Sequence, residues 1–205
     1  MSLNFKHKYE PANTGSDRTL LLLHGTGGDE TDLLGLARAI DESAALISPR
    51  GKVLEQGMSR FFRRLAEGVF DEEDLIARTH ELADFVSAAA KEYQRDPTKI
   101  IAVGFSNGAN IAAAMLLLRP EALRAGVLIR AMVPLIPRER IDLAGKSALI
   151  LSGTADPIVP RENAERLANL LRDAGADVTH ELIEASHGMT MEDVETARDW
   201  LARIS

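Results

Sequence analysis

Residues 100–118 read IIAVGFSNGANIAAAMLLL. The run carries no charge over 19 residues, which is close to the length of a membrane span. Its middle, residues 104–108, is a turn of glycine, serine and asparagine, so a buried strand at 100–103, a sharp turn and a helix explain the run better. The helix at 107–118 is apolar nearly all round, which predicts that it is covered on every side, and Pro120 ends it.

The turn matches the pattern G-x-S-x-G through Gly104, Ser106 and Gly108. Two glycines let the backbone fold tightly on either side of the serine, which lifts the hydroxyl above the sheet and leaves the amide of Asn107 at the start of the helix. The pattern alone is moderately specific, but its place between a strand and a helix is typical of a hydrolase nucleophile. We therefore predict Ser106 as a nucleophile; the alternative is that Ser106 only caps the helix.

Outward from this stretch, apolar strands and amphipathic helices alternate. The alternation predicts parallel βαβ units in a doubly wound α/β sandwich, with helices on both faces of the sheet. Since the chain has no repeat, no low-complexity tract and no linker, we expect one domain over residues 1–205. Residues 51–69 show no regular pattern. Further predicted strands are 19–23, 45–48, 126–129, 148–152 and 178–183, and further predicted helices are 32–40, 71 to about 93, 162–174 and 191–204.

A serine hydroxyl needs a base within hydrogen-bond reach, and that base is usually oriented by a carboxylate. His187 follows the last predicted strand in the loop EASHG, at the edge of the sheet where ligands bind in such folds. We predict His187 as the base; the alternative is an exposed loop histidine. His7, His80 and His180 are better explained as structural or solvated.

The best candidate for the orienting acid is Asp156, which lies just after a predicted strand in the sequence SGTADP. This position is at the same edge of the sheet as the histidine loop. Aspartate before proline is also a common turn residue, and Asp142 and Glu184 are weaker candidates. The resulting chain order, Ser106, Asp156, His187, is the one that the α/β-hydrolase topology imposes.

A tetrahedral oxyanion needs two preorganised donors. The amide of Asn107 is one predicted donor, and the amide of Thr26, in the loop HGTGGD after the first strand, is the other. This loop lacks the spacing of a phosphate-binding loop. His24 has no second histidine or carboxylate pair at a metal-ligand spacing, so we interpret it as structural support for the loop.

Composition excludes several function classes. The chain has 205 residues, and its lack of cysteine rules out disulfide scaffolds, thiolate zinc sites and cysteine nucleophiles. A net charge of −7 argues against a nucleic-acid binder and against stable association with anionic membranes. The first ten residues contain no apolar stretch of signal-peptide length, so we expect a cytoplasmic protein.

The same stretches resemble the phospholipase/carboxylesterase family of small α/β-hydrolases, which includes acyl-protein-thioesterase-like enzymes. The matching stretches are LLHGTGG at 22–28, GFSNG at 104–108, GTADPIVP at 153–160 and SHG at 186–188, and residues 50–75 resemble a bacterial branch of carboxylesterase or hydroquinone-resistance-type hydrolases. The resemblance implies an α/β-hydrolase fold and serine ester hydrolysis without a cofactor. The stretch between Ser106 and Asp156 is too short for a cap domain, and we expect no metal. It implies the roles of Ser106, Asp156 and His187 given above, with oxyanion donors at Thr26 and Asn107. The eukaryotic thioesterase members often have glutamine where this chain has Asn107.

Residues 50–70 are the best candidate to cover the site. They carry a net charge of +3 in an acidic protein, which suits an acidic substrate group held by arginines. The alternative is that the basic residues pair with the acids at 71–74 or with solvent. Phe61 and Phe62 line an acyl site or belong to the core. The basic residues are Arg50, Lys52, Arg60, Arg63 and Arg64.

We expect a carboxylesterase that cleaves small to medium esters, or thioesters, through an acyl-enzyme. One alternative is a non-catalytic relative of the hydrolases that binds a small molecule. Another is an interaction module, for which the exposed face of the last helix is compatible with a homodimer, although no heptad pattern demands one.

Overall fold

A computed structural model describes residues 3–13, 15–66 and 68–204 of the chain. Seven strands form the central sheet in the order β1-β3-β2-β8-β9-β10-β11. The strands are β1 His7–Glu10, β2 Thr19–Leu23, β3 Ala45–Pro49, β4 Val53–Glu55, β5 Met58–Arg60, β6 Arg64–Ala66, β7 Val69–Phe70, β8 Ile100–Phe105, β9 Ala125–Ile129, β10 Ser147–Gly153 and β11 Asp177–Ile183. The helices are α1 Leu34–Ile40, α2 Glu72–Glu92, α3 Asn107–Leu118, α4 Arg161–Asp173 and α5 Met191–Arg203.

Both faces of the sheet are covered, which is why its strands lack polar alternation. Along β2, Leu20 and Leu22 belong to one apolar cluster with side chains of α1 and α5. Leu21 and Leu23 point the other way, into a second cluster with α2, α3 and α4. Because neighbouring residues of a strand point to opposite faces, an apolar run is what a sheet between two helix layers needs. The predicted three-layer α/β-hydrolase fold is confirmed, and no cap domain is inserted in the described residues.

The uncharged run at 100–118 is β8, a turn and α3, as predicted. Among the described residues, no helix is long and apolar enough to cross a membrane. The ends of the other predicted elements agree with the structure to within two residues. Asp71 caps α2, since its side chain accepts from the amide of Asp74 at 3.1 Å, and Gly175, with φ of +99°, follows α4.

One strand was missed by sequence analysis, and the prediction for one segment was wrong. The N-terminal strand β1 was not predicted; it pairs antiparallel with β3, at the edge of an otherwise parallel sheet. Residues 51–69 were expected to be irregular, but the described residues of this segment include four short strands that pair, with Phe70, as two antiparallel hairpins, β4–β5 and β6–β7. The first hairpin turns at Gln56 and Gly57, which have φ of 52° and 81°, as its two central residues require. Strands of two or three residues are too short to show a periodic pattern in the sequence.

Candidate active site

The turn between β8 and α3 holds Ser106 in a strained conformation, with φ of 51° and ψ of −111°. The positions two residues before and two residues after Ser106, Gly104 and Gly108, have no room for a side chain. A Cβ on Gly108 would lie 1.9 Å from the carbonyl oxygen of Leu23, and a Cβ on Gly104 would lie 2.6 Å from the carbonyl oxygen of Gly108. The glycines are therefore needed for close approach of α3 to the sheet. Ser106 makes no side-chain capping hydrogen bond to α3, so its hydroxyl is available to the site.

The structure brings the three predicted catalytic residues together. Nε2 of His187 is 2.9 Å from Oγ of Ser106, and Nδ1 of His187 is 2.8 Å from Oδ2 of Asp156. The other carboxylate oxygen, Oδ1, accepts from the amides of Ile158 and Val159 at 2.8 and 3.0 Å. The Asp156 side chain is 1% exposed and that of His187 is 20% exposed. The buried carboxylate favours the tautomer with the proton on Nδ1, which leaves Nε2 free to accept from the serine.

The weaker candidates do not join this chain of hydrogen bonds. Asp142 accepts from the amide of Ala144 at 2.9 Å, in a local turn, and Glu184 is an exposed residue. Of the other histidines, His7 contacts the hydroxyl of Tyr93, His80 is exposed on α2, and His180 contacts the hydroxyl of Ser152.

Arg130 holds the loop that carries His187, and sequence reasoning missed it. Its guanidinium donates to both carboxylate oxygens of Asp193 at 2.8 and 2.9 Å, and to the carbonyl oxygens of Ser186 and Gly188 at 3.1 and 3.0 Å. Both side chains of the ion pair are fully buried. The signal in the sequence is a lone arginine within the otherwise apolar stretch AGVLIRAMVPL, residues 125–135, since a buried charge needs a partner.

The amides predicted to stabilise an oxyanion both belong to residues that line the same cavity as Ser106 and His187. Within the part of the chain that the structure describes, no group accepts a hydrogen bond from the amide of Thr26 or of Asn107. Asn107 is the first residue of α3, where the helix dipole favours negative charge. Both amides are therefore open to a ligand.

Residues 50–70, which we call the hairpin segment, are hydrogen-bonded to Asn107 and to the loop that contains Thr26. The Asn107 side chain accepts from the amide of Phe61 at 2.7 Å, and the amide of Gly27, next to Thr26, donates to the carbonyl of Ser59 at 2.9 Å. Nε2 of His24 accepts from the amide of Gly51 at 3.0 Å. Burial lowers the pKa of His24, which keeps the ring neutral and able to accept. His24 thus supports the loop.

Three of the five basic residues of the hairpin segment form ion pairs away from the site, but only Arg63 pairs with the acids at 71–74 that the alternative interpretation named. Arg50 pairs with Glu30 and Asp29. Burial raises the pKa of Glu30, but hydrogen bonds from Arg50, its own backbone and Lys6 together lower it to about 2. Further pairs are Lys52 with Glu81 and Arg63 with Asp71 and Asp74. Glu67, which was counted in the net charge, lies outside the described residues.

The cavity above Ser106 has a volume of about 240 Å³. Phe70, Phe105 and Met132 contribute apolar walls, and Arg60 and Arg64 contribute positive charge. Phe61 and Phe62 are buried in the larger core cluster, so the core interpretation of these two residues is the correct one. Among the described residues, no group of three or more His, Asp or Glu side chains is arranged to hold a metal ion.

Comparison with known proteins identifies a family and several related chains. The family model described as phospholipase/carboxylesterase matches residues 8–205. MhqD of Bacillus subtilis (strain 168) is 48% identical over 195 residues, which is 95% of this chain and 96% of that protein.

Two solved structures share the fold closely. A carboxylesterase from Bacillus cereus superimposes with a TM-score of 0.96 at 50% identity, covering 98% of this chain and 95% of that chain. YahD, solved with malic acid, gives a TM-score of 0.92 at 32% identity, covering 98% of this chain and 100% of that chain. Both likenesses extend over almost the entire sheet and its helices.

Proposed function

This chain belongs to the phospholipase/carboxylesterase family of α/β-hydrolases and is a carboxylesterase-type hydrolase, and from that premise we propose that it cleaves small to medium carboxylic esters through an acyl-enzyme on Ser106. His187 acts as the base and Asp156 orients it. The observation that carries the proposal is the unbroken chain of hydrogen bonds from Asp156 through His187 to Ser106, at 2.8 and 2.9 Å.

In acylation, Nε2 of His187 removes the hydroxyl proton as Oγ of Ser106 attacks the ester carbonyl. The carbonyl π electrons move to oxygen, and the amides of Thr26 and Asn107 donate to the resulting oxyanion. The C–O bond to the alcohol then breaks, and the imidazolium protonates the leaving oxygen. Asp156 stays ionised throughout and stabilises the imidazolium that forms.

In deacylation the same groups act on water. His187 removes a proton from a water molecule, which attacks the acyl carbon, and the proton passes to Oγ of Ser106 as the acid leaves. Each oxyanion donor is worth on the order of 3 kcal/mol of barrier. A thioester follows the same steps with a thiol as leaving group, so the geometry suits both classes.

The cavity supports a preference for small substrates. Its volume of about 240 Å³ lies below the range of roughly 300–1,000 Å³ of drug-sized sites. YahD was solved with malic acid, a small dicarboxylic acid, and a compound of that size is a reasonable guide to what this cavity admits. We therefore expect activity to decline as the acyl chain lengthens.

The proposal is tested by hydrolysis of p-nitrophenyl esters of increasing chain length. We expect turnover by the native protein, a loss of at least about 1,000-fold in Ser106→Ala, and an optimum at short chains. The mechanism needs a base without its second proton, so activity should fall in acid. A flat profile between about pH 5 and 8 would contradict the role of His187.

A fluorophosphonate probe separates this proposal from the non-catalytic alternative. An activated serine reacts covalently with the probe, and Ser106→Ala does not. Absence of labelling in the native protein, together with absence of ester turnover, would favour a binding protein on the same fold.

A further inference from the structure

Two arginines at the cavity share one carboxylate. Oε1 of Glu55 is 2.8 Å from Nε of Arg64, and Oε2 of Glu55 is 3.2 Å from Nε of Arg60. Both arginines line the cavity with Ser106 and His187. Among the described residues, which do not include Glu67, one positive charge is therefore left in excess at this wall, whereas the other basic residues of the hairpin segment have acidic partners elsewhere.

Arg60 is the more unusual of the two because it is only 3% exposed. Its Nη1 donates to Oγ1 of Thr26 at 2.6 Å, and its Nε donates to the carbonyl of Phe62 at 3.2 Å. In the described ranges, no acceptor takes a hydrogen bond from its Nη2, nor from either Nη atom of Arg64. Burial and the nearby charge of Arg64 lower the pKa of Arg60. None of these free Nη atoms is among the buried unpartnered atoms of the described residues, so they are accessible from the cavity that both arginines line, where an anion can accept from them.

The position of these donors fixes where the anion would lie. Arg60 touches the side chain of Thr26, whose amide is the proposed donor to the ester oxygen. A group bound by the guanidinium would therefore lie in the same cavity as Ser106, on the side of Thr26. The excess of one charge matches a carboxylate, which carries one negative charge, better than a phosphate, which carries about 1.5 to 2.

We infer that Arg60 and Arg64 form a subsite for a free carboxylate of the substrate, so that the preferred esters are short ones bearing a second, ionised carboxyl group. The inference rests on the proposed function, because it names the substrate class of that same site. Arginine suits this role since its planar fork donates two parallel hydrogen bonds to a carboxylate.

The test compares esters that differ in charge and hardly in shape. Ethyl hydrogen succinate and ethyl succinamate place a carboxylate or a neutral amide on the acyl side, and 4-acetoxybenzoate and 4-acetoxybenzamide place them on the leaving side. We expect kcat/KM to favour the anionic member of at least one pair by roughly 10- to 100-fold, the worth of a charge-assisted hydrogen bond. A ratio near one in both pairs would overturn the inference.

Three variants test whether the preference for anionic esters depends on Arg60 and Arg64. Arg64→Gln and Arg60→Lys should each lower the anionic-to-neutral ratio by about 10-fold, mainly through KM, and the ratio cancels any general loss of activity. Arg63→Gln is the matched control, because it removes the same charge from the same segment at a residue that pairs with Asp71 and does not line the cavity. A ratio that falls equally in Arg63→Gln would mean a long-range effect of net charge and would contradict a subsite.

Binding to Ser106→Ala separates this inference from the proposed function. Titration calorimetry with both pairs of esters needs no turnover. Tighter binding of the anionic member in at least one pair supports the subsite even if the native protein hydrolyses none of the compounds, in which case only the proposed function fails. Equal binding within both pairs, or binding of no ester, refutes the subsite, whether or not neutral p-nitrophenyl esters are cleaved.

Discussion

Gly108 shows at the scale of one residue how the site depends on close packing. A methyl group there would lie 1.9 Å from the carbonyl oxygen of Leu23, a backbone atom that cannot move away without breaking the sheet. We expect Gly108→Ala to abolish esterase activity and to lower the free energy of unfolding by more than about 4 kcal/mol, which urea denaturation measures.

Gly35 offers the matched control for this substitution. It lies in α1, where a methyl group would have no other atom within 4 Å, so Gly35→Ala should gain up to about 1 kcal/mol of stability and keep full activity. Similar behaviour of the two variants would show that close approach at Gly108 is not the reason for the glycine.

Arg130 is a second residue whose role is to position others. Arg130→Met leaves the carboxylate of Asp193 buried without its partner, so we expect a loss of about 3–5 kcal/mol in unfolding free energy. Arg130→Lys keeps the charge with fewer donors and should lower kcat more than it raises KM, since the His187 loop loses hydrogen bonds. Arg172→Met removes an exposed arginine and should cost less than about 0.5 kcal/mol. A loss of unfolding free energy that small for Arg130→Met would contradict the role of Arg130 in holding the His187 loop.

At the scale of elements, the apolar pattern of the sequence predicted the helices and the buried strands of the central sheet. The helix α3 was predicted with its observed ends because its apolar residues, the turn before it and Pro120 after it leave one interpretation. The hairpins β4–β5 and β6–β7 escaped prediction because strands of two or three residues have too few side chains to alternate. Their place over the site is set by contacts to distant residues, such as that from Phe61 to Asn107.

That contact gives a prediction about how the hairpin segment is held. Asn107→Ala keeps the backbone amide but leaves the amide of Phe61 without its acceptor, so we expect a loss of about 1–3 kcal/mol in unfolding free energy. We also expect kcat/KM for a short p-nitrophenyl ester to fall by about 10-fold, because the segment that covers the site is loosened.

The control removes the same kind of hydrogen bond elsewhere. Asn163 accepts from the amide of Val133 at 2.7 Å and does not line the cavity. Asn163→Ala should therefore cost stability while kcat/KM stays within about two-fold of the native value. Equal loss of activity in both variants would mean that general destabilisation, and not the tie to the hairpin segment, is responsible.

For the whole molecule, the topology explains why the sequence could predict that three candidate residues lie together, whereas it could not predict the partners of the two buried arginines. Ser106, Asp156 and His187 follow the ends of β8, β10 and β11, and parallel strands bring these ends to one edge of the sheet. An apolar strand followed within a few residues by a serine, aspartate or histidine can be recognised in the sequence. The partners of Arg60 and Arg130 are instead chosen by tertiary packing, which no local pattern records.

Global stability should fall in mild acid. Burial lowers the pKa of both His24 and His180 from the ordinary value of 6.5, so the unfolded chain takes up protons more readily than the folded one. Their contribution is complete above pH 6.5 and is lost as the pH falls below it. We expect urea midpoints to decline from pH 7.5 to 5.5, and to decline less in His24→Gln. The urea midpoint of His80→Gln, at an exposed histidine, should decline as that of the native protein does. An equal decline in His24→Gln would show that His24 is not a source of the acid sensitivity.

The strained serine has a consequence for selection. A non-glycine residue at φ of 51° and ψ of −111° costs of order 1–3 kcal/mol, and glycine at position 106 would relieve it. Glycine in place of the proposed nucleophile should therefore stabilise the fold, so a library selected only for folded, protease-resistant chains would become enriched in glycine at position 106. Selection for stability and selection for the proposed chemistry act in opposite directions at this residue.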